Sequence, residues 1–279
     1  MLSTDMRRTT VFLIVTLFGV VLPTHGQSSY DLFGNARADA LGNATTALPA
    51  AVGVQSNPSA RTGLSRPTAL FYARQSFGLK ALRYSATHVA IPVSWGILSG
   101  GASTFGFEDY REVHLSLGYA RALQFGTTRS LRVGGAFRMH HTSIAQYGRA
   151  SALGLNLGLG LRLLHALHLG AMATNVTGAA LVPEEPLPRT LAVGLFYRAL
   201  DDVRVVVDAF KDARFPLTVR GGLEVRPVSP LFLRAGVTTT PTRLRVGAGV
   251  RLGPLNADVA AEQHQRLGWS PSASLRVRW

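Results

Sequence analysis

Polar and apolar residues alternate along most of this chain. Leu153 to Arg162 reads LGLNLGLGLR, so Leu153, Leu155, Leu157, Leu159 and Leu161 share one face of an extended strand. Gly154, Asn156, Gly158, Gly160 and Arg162 share the other. No helix places five leucines on one side at that spacing. The pattern returns in Thr242–Leu252, where Leu244, Val246, Ala248, Val250 and Leu252 oppose Arg243, Arg245, Gly247, Gly249 and Arg251. It returns again around Val113–Tyr119, Leu131–His140, Leu217–Arg226, Leu231–Val237 and Leu255–Glu262. Turn signals separate the runs: Gly126-Thr127-Thr128, Asp201-Asp202, Pro227-Val228-Ser229-Pro230, Pro241-Thr242 and Gly253-Pro254. From residue 66 onward the alternation predicts roughly fourteen strands of about ten residues, the length of a tilted membrane strand.

Composition decides what such strands face. Charged residues make up only 16% of the chain and mean hydropathy is +0.18. Yet no stretch beyond the N-terminal region reaches the ~18 uninterrupted apolar residues of a membrane helix. A soluble β-sandwich also alternates, but its solvated face would carry Lys and Glu, whereas here that face is rich in Gly and Arg. In lipid, a closed barrel is the sheet arrangement that satisfies every backbone group. The predicted fold is therefore all-β: a transmembrane antiparallel β-barrel over residues 66–279, preceded by a short hatch-like segment.

The N-terminal residues read as an export signal. Arg7 and Arg8 precede the apolar run Val11 to Leu22, Pro23 ends it, and Thr24-His25-Gly26 offers a cleavage site before Gln27. Residues 1–26 are thus expected to be a signal peptide and the outer membrane the destination. Residues 27–65 are expected to form an inward-folding hatch or a periplasmic extension, because their small polar residues cannot face lipid. At the other end Ala273, Leu275, Val277 and Trp279 alternate with Ser274, Arg276 and Arg278. An aromatic closing such a strand looks like the signal that outer-membrane barrels present to the barrel-assembly machinery, so Trp279 is the expected assembly signal.

Net charge is +14, nearly all of it arginine, since Lys80 and Lys211 are the only lysines. The arginines are dispersed singly through apolar strands, which argues against nucleic-acid binding. Instead Arg220, Arg234, Arg243, Arg245, Arg251, Arg276 and Arg278 fall on the non-lipid face of successive strands, with Asp208, Glu224, Asp258 and Glu262 among them. They are candidates to line the lumen, either as an ion-paired packing layer or as a passage favouring anions. Arginines at strand ends could meet lipopolysaccharide phosphates, so lipid and lipopolysaccharide are the expected surroundings.

Between the signal and the first strand, Gly34-Asn35-Ala36 is echoed by Gly42-Asn43-Ala44, and Asn57-Pro58-Ser59-Ala60 follows. Together with Leu187-Pro188-Arg189-Thr190-Leu191-Ala192-Val193-Gly194-Leu195-Phe196-Tyr197-Arg198, these residues resemble the PorV/PorQ-like family of outer-membrane proteins, itself similar to the long-chain fatty acid transporter FadL. The resemblance implies a barrel of about fourteen strands. For PorV-like members it implies a non-enzymatic accessory role in type IX secretion or surface attachment, with secretion-system components or exported proteins as partners. For FadL-like members it implies a transport channel for hydrophobic small molecules. The chain is short for the family, which implies brief extracellular loops.

Candidate chemistry is sparse. Absence of Cys excludes disulfides, thiolate metal sites and a Cys nucleophile. No Gly-x-Ser-x-Gly elbow and no His-Glu-x-x-His spacing occurs. His114, His140, His141, His165, His168 and His264 are single or paired, and His140 and His141 point to opposite faces of a strand. No catalytic residue, metal or cofactor is expected.

Overall fold

The computed structural model describes residues 32–126 and 128–279. The expected signal peptide, residues 1–26, lies outside the described residues. The strands β1 (Thr68–Gln75), β2 (Arg83–Val93), β3 (Gly96–Gly106), β4 (Tyr110–Phe125), β5 (Arg129–Ile144), β6 (Gly148–Arg162) and β7 (Leu167–Thr174) follow one another as antiparallel neighbours. The next connection holds a small hairpin, β8 (Ala180–Val182) and β9 (Glu185–Pro186). Then come β10 (Thr190–Leu200), β11 (Val203–Asp212), β12 (Thr218–Val228), β13 (Leu231–Thr239), β14 (Thr242–Leu252), β15 (Leu255–His264) and β16 (Gly268–Arg278). The last strand pairs with the first, Thr68 opposite Arg278, and closes a barrel of fourteen strands. This is the fold that the alternation predicts.

The pleat sorts the residues. Leu115, Leu117, Phe137, Leu153, Leu157 and Leu159 point outward, with Leu117 72% exposed, while His114, Ser116, Arg138 and His140 of the same strands are buried. An exposed apolar surface running round the whole wall is the lipid-facing band of a membrane barrel. Exposed Trp95, Phe125 and Trp279 mark the end where β1 starts and β16 stops, and exposed Phe107, Tyr147, Phe215 and Trp269 mark the other. Two such girdles suit the two membrane–water interfaces. Trp279 itself is 60% exposed and its N–H donates to Pro67 O at 3.2 Å, which ties the end of β16 to the start of β1.

Connections at the end carrying Trp279 are tight turns, such as residues 201–202, 229–230 and 253–254. The longest connection, residues 175–189, lies at the other end, where residues 107–109, 145–147 and 265–267 are brief. Short turns on one side and the longest loop on the other place the Trp279 end on the periplasmic side. The register also leaves a notch. β6 pairs with β7 only from Leu157 to Arg162, so its upper part rises beyond β7. Loop 175–189 covers that edge: Val176 N–H donates to Leu155 O at 2.9 Å, and the buried Asn175 side chain donates to Ala179 O and Leu187 O.

Residues 32–65 fill the barrel. They carry a short helix, α1 (Ala36–Ala40), capped by Asn35, and a 3-10 turn, Pro58–Gly63, capped by Asn57. Almost every residue from Leu32 to Arg61 is buried. Three apolar clusters, centred on Tyr72 and Tyr84, on Leu41 and Phe196, and on Leu64 and Ile97, hold this segment against the inner wall.

Candidate functional site

The hatch is bound to the wall by ions as well as by contact. Arg37 of α1 meets Glu224 of β12 through two bonds of 2.7 and 2.9 Å. Glu224 also receives Arg204 at 2.6 Å and Arg234 at 2.7 Å, and Arg234 continues to Asp258 at 2.8 Å. On the other side of α1, Asp39 accepts bonds from the Tyr72 hydroxyl at 2.5 Å and the Ser272 hydroxyl at 2.7 Å. Arg74 lies 3.6 Å from Asp39 and donates to Glu262 at 2.9 Å, and Glu262 in turn holds Arg245. Farther round, Asp208 accepts from both the N–H and the hydroxyl of Thr46. Buried carboxylates need such partners, because an unpaired buried charge costs several kcal/mol.

The arginines singled out by the alternation fall into two sets. Arg220, Arg234, Arg245 and Arg276 are buried inside the barrel. Arg220 stacks on Phe210 at 3.7 Å and faces the Phe33 ring of the hatch at 5.4 Å. Arg243, Arg251 and Arg278 lie half-buried nearer the rims. Arg243 reaches Glu262 at 3.5 Å, Arg251 lies over the Phe232 ring at 4.8 Å, and Arg278 lines the periplasmic mouth beside Arg276. Four acidic side chains, Asp39, Glu224, Asp258 and Glu262, thus take up much of the guanidinium charge on this half of the lumen. Alternation located the strand residues of this network. It could not locate Arg37 and Asp39 of the hatch, or Tyr72 and Arg74 of β1, as its members, because pairing across a lumen leaves no local spacing.

The small residues of the repeated motif sit where backbone meets backbone. Ala36 and Ala44 have no exposed surface. Gly42 has a φ of +70°, and a Cβ there would come within 2.7 Å of Gly221 O and 2.8 Å of Val237 O. Asn43 beside it also takes a positive φ and is buried. Gly34 turns with φ +70° next to Ala86, and Asn35 donates to Val52 O at 2.7 Å. The motif is therefore the means by which the hatch lies flat against the strands.

Asn57 and Pro58 lie behind an unusual part of the wall. The Asn57 amide donates to Thr46 O of the hatch, to Leu159 O of β6 at 3.0 Å and to Ala171 O of β7 at 3.2 Å. Leu159 and Ala171 face each other in the β6–β7 register. Side chains are missing just here: a Cβ on Gly158 would lie 2.0 Å from Asn57 Oδ1, and one on Gly134 would lie 2.7 Å from the Pro58 carbonyl carbon. Outside the same spot runs an apolar groove of about 520 Å³, lined by Tyr119, Val133, Gly135, Leu157, Leu159 and Ala173 among others. Inside it is a small cavity of about 20 Å³ bounded by Asn57, Phe33, Phe210 and Thr190. Met172 borders both. At the periplasmic mouth a wider hollow of about 800 Å³ is lined by Leu64, Thr68, Arg276 and Trp279.

No protein-family model and no curated protein matches the sequence. Solved structures do match the fold. A FadL homologue of Pseudomonas aeruginosa superposes with a TM-score of 0.60 at 11% identity, over 88% of this chain and 98% of that one. The toluene transporter TodX of Pseudomonas putida gives 0.58 at 12% identity, over 89% and 97%. CymD, a monoaromatic hydrocarbon channel, gives 0.58 at 13% identity, over 80% and 91%. The chain has the fold of FadL-type outer-membrane barrels. TodX is described as a transporter and CymD as a channel. Nothing in the comparisons supports the PorV/PorQ group or type IX secretion specifically.

Proposed function

We propose that this protein is an outer-membrane channel that passes small hydrophobic molecules sideways through its wall, by way of the β5–β7 groove. The observation carrying this reading is that the Asn57-Pro58 turn touches an inner wall bare of side chains directly behind an outer apolar groove. Gly134, Gly135 and Gly158 leave no side chains between the outer apolar groove and the Asn57-Pro58 turn within. A molecule leaving the lumen there would enter lipid directly and never cross the polar headgroup layer of the outer face. The likeness to barrels described as hydrocarbon and toluene transporters points the same way. The charged, ion-paired half of the lumen lies on the other strands and would not line this route. On this reading the protein is non-enzymatic, uses no cofactor, and sits in the outer membrane with its hatch facing the periplasm.

The test is uptake of a fluorescent monoaromatic or fatty-acid probe into proteoliposomes. Ala171→Trp places bulk in the groove from the lipid side, without touching the hatch. Uptake should fall to the level of empty vesicles in that variant and stay normal in Ala235→Trp, on the lipid face of β13. Equal uptake by both variants would remove the lateral route. The accessory role in secretion that the motif run implies would instead require a defect in surface-protein attachment when the gene is deleted.

A further inference from the structure

One arginine of the hatch, Arg61, meets no carboxylate among the described residues. Two neighbouring rungs cross β2 to β5 on the inner face. The first runs His88, Gly101, Ser116, Arg138 and the second Ala90, Ser99, Gly118, Ala136. Basic side chains stand at the two ends of the first rung, and everything between them is Gly, Ser or Ala. The result is a shallow floor with two hydroxyls.

Arg61 of the hatch lies over this floor. Its Nη1 and the Ser99 hydroxyl each come within about 3 Å of the place where a Gly118 Cβ would be. The His88 ring and the Ser116 hydroxyl crowd the corresponding place at Gly101, at 2.9 and 3.0 Å. Arg61 is 2% exposed and its Nε and Nη1 have no hydrogen-bond partner among the described residues. His88 is 2% exposed and neither ring nitrogen has one. Burial disfavours the charge on Arg61, and the like charge of Arg138 adds to that; no carboxylate offsets it. Arg138 bonds the neutral Gln55 side chain and the Val54 carbonyl of the hatch.

A guanidinium does not shed its proton in a protein. A buried one without a counter-charge costs several kcal/mol. Water can satisfy N–H groups but supplies no charge. We propose that Arg61 of the hatch and His88 of the wall together bind a small monovalent anion, of which chloride is the abundant example. The anion would take the charge-assisted bonds of Arg61 and an N–H of His88; the Ser99 and Ser116 hydroxyls beside it donate to Gly118 O at 3.3 Å and Gly101 O at 3.4 Å. Because Arg61 belongs to the hatch and the rest to the wall, the anion bolts one to the other. The site is independent of the lateral route, which lies toward β6 and β7.

The experiment uses the full chain in detergent, at constant ionic strength, with bromide replacing gluconate. The expected result is a bromide anomalous peak between Arg61 and His88 in crystals of the wild type. The unfolding midpoint should also rise with bromide and keep climbing with the logarithm of its concentration above the dissociation constant, by roughly 5 °C over that range. Arg61→Met should abolish both signals and unfold no earlier than the bromide-free wild type, since it removes the uncompensated charge. His88→Phe should weaken the bromide dependence and shift its midpoint upward; it also serves if Arg61→Met does not fold. A wild type indifferent to bromide, with no anomalous peak at the site, would overturn the proposal. So would an Arg61→Met barrel with undiminished bromide dependence.

Discussion

Arg37 of the hatch grips Glu224 of the wall in a two-pronged bond of 2.7 and 2.9 Å, and the same carboxylate holds Arg204 and Arg234. One buried anion therefore contacts three cations, so its loss is felt by the hatch and the wall alike. In Glu224→Gln, Arg37 and Arg204 lose this carboxylate, while Arg234 keeps Asp258. The expected loss of stability is roughly 3–5 kcal/mol, read from the urea midpoint. The hatch should also loosen. The chain has no cysteine of its own, so a single Ala38→Cys label reports it: unreactive in the otherwise native barrel, reactive when Glu224 is Gln.

Asn57 offers a narrower test. Its amide joins a hatch carbonyl to two wall carbonyls, and its Oδ1 accepts from the N–H and hydroxyl of Ser59. Asn57→Leu removes those bonds and leaves buried carbonyls without a donor, at about 1–3 kcal/mol. If the turn seals the wall behind the groove, this variant should take up the monoaromatic probe faster than the native protein while keeping its barrel, checked by strand content in circular dichroism. Unchanged uptake would mean the turn does not limit passage.

Much of the barrel was legible because a membrane strand writes its environment into every second residue. The faces of Leu244 and Arg245, or of Leu233 and Arg234, follow from parity alone, and lipid outside forces that parity on each strand. The hatch was legible only as composition. That Gly42 packs on Gly221 and Val237, or that Arg37 reaches Glu224, depends on contacts between residues far apart in sequence, which no local pattern encodes. Arg61 shows the limit most clearly. It follows the Asn57-Pro58-Ser59-Ala60 run with no local pattern to place it, yet it is among the most buried side chains of the described residues.

Placement in lipid can be checked at Leu117. This residue is 72% exposed in the middle of β4, with His114 and Ser116 of the same strand turned inward. Arginine on the lipid face near the bilayer centre costs roughly 2–4 kcal/mol in membrane barrels. Leu117→Arg should therefore lower the folding yield into bilayers by a corresponding amount. The same change at Tyr147, 89% exposed in the connection between β5 and β6, should be close to neutral. Equal effects at the two sites would be incompatible with a lipid boundary between them.

The seat of the hatch is fixed by glycine as well as by charge. A Cβ on Gly236 would lie 2.2 Å from Gly42 N and 2.7 Å from Ala40 O, both of them backbone, which cannot move aside as a flexible side chain can. Gly236 faces inward on β13, opposite Gly222, whose own Cβ would lie 2.6 Å from Leu41 O. The strand itself tolerates a β-branched residue, so Gly236→Val should leave the barrel intact while forcing α1 and the Leu41-Gly42 turn off the wall. The Arg37–Glu224 and Asp39–Tyr72 bonds would then stretch or break together, since both belong to the displaced segment. Single-channel recording in planar bilayers should show a silent native protein and a conducting Gly236→Val variant. A silent variant whose Ala38→Cys label stays unreactive would show that the hatch can shift by a methyl group without unseating, and that charge, not close backbone packing, holds it in place.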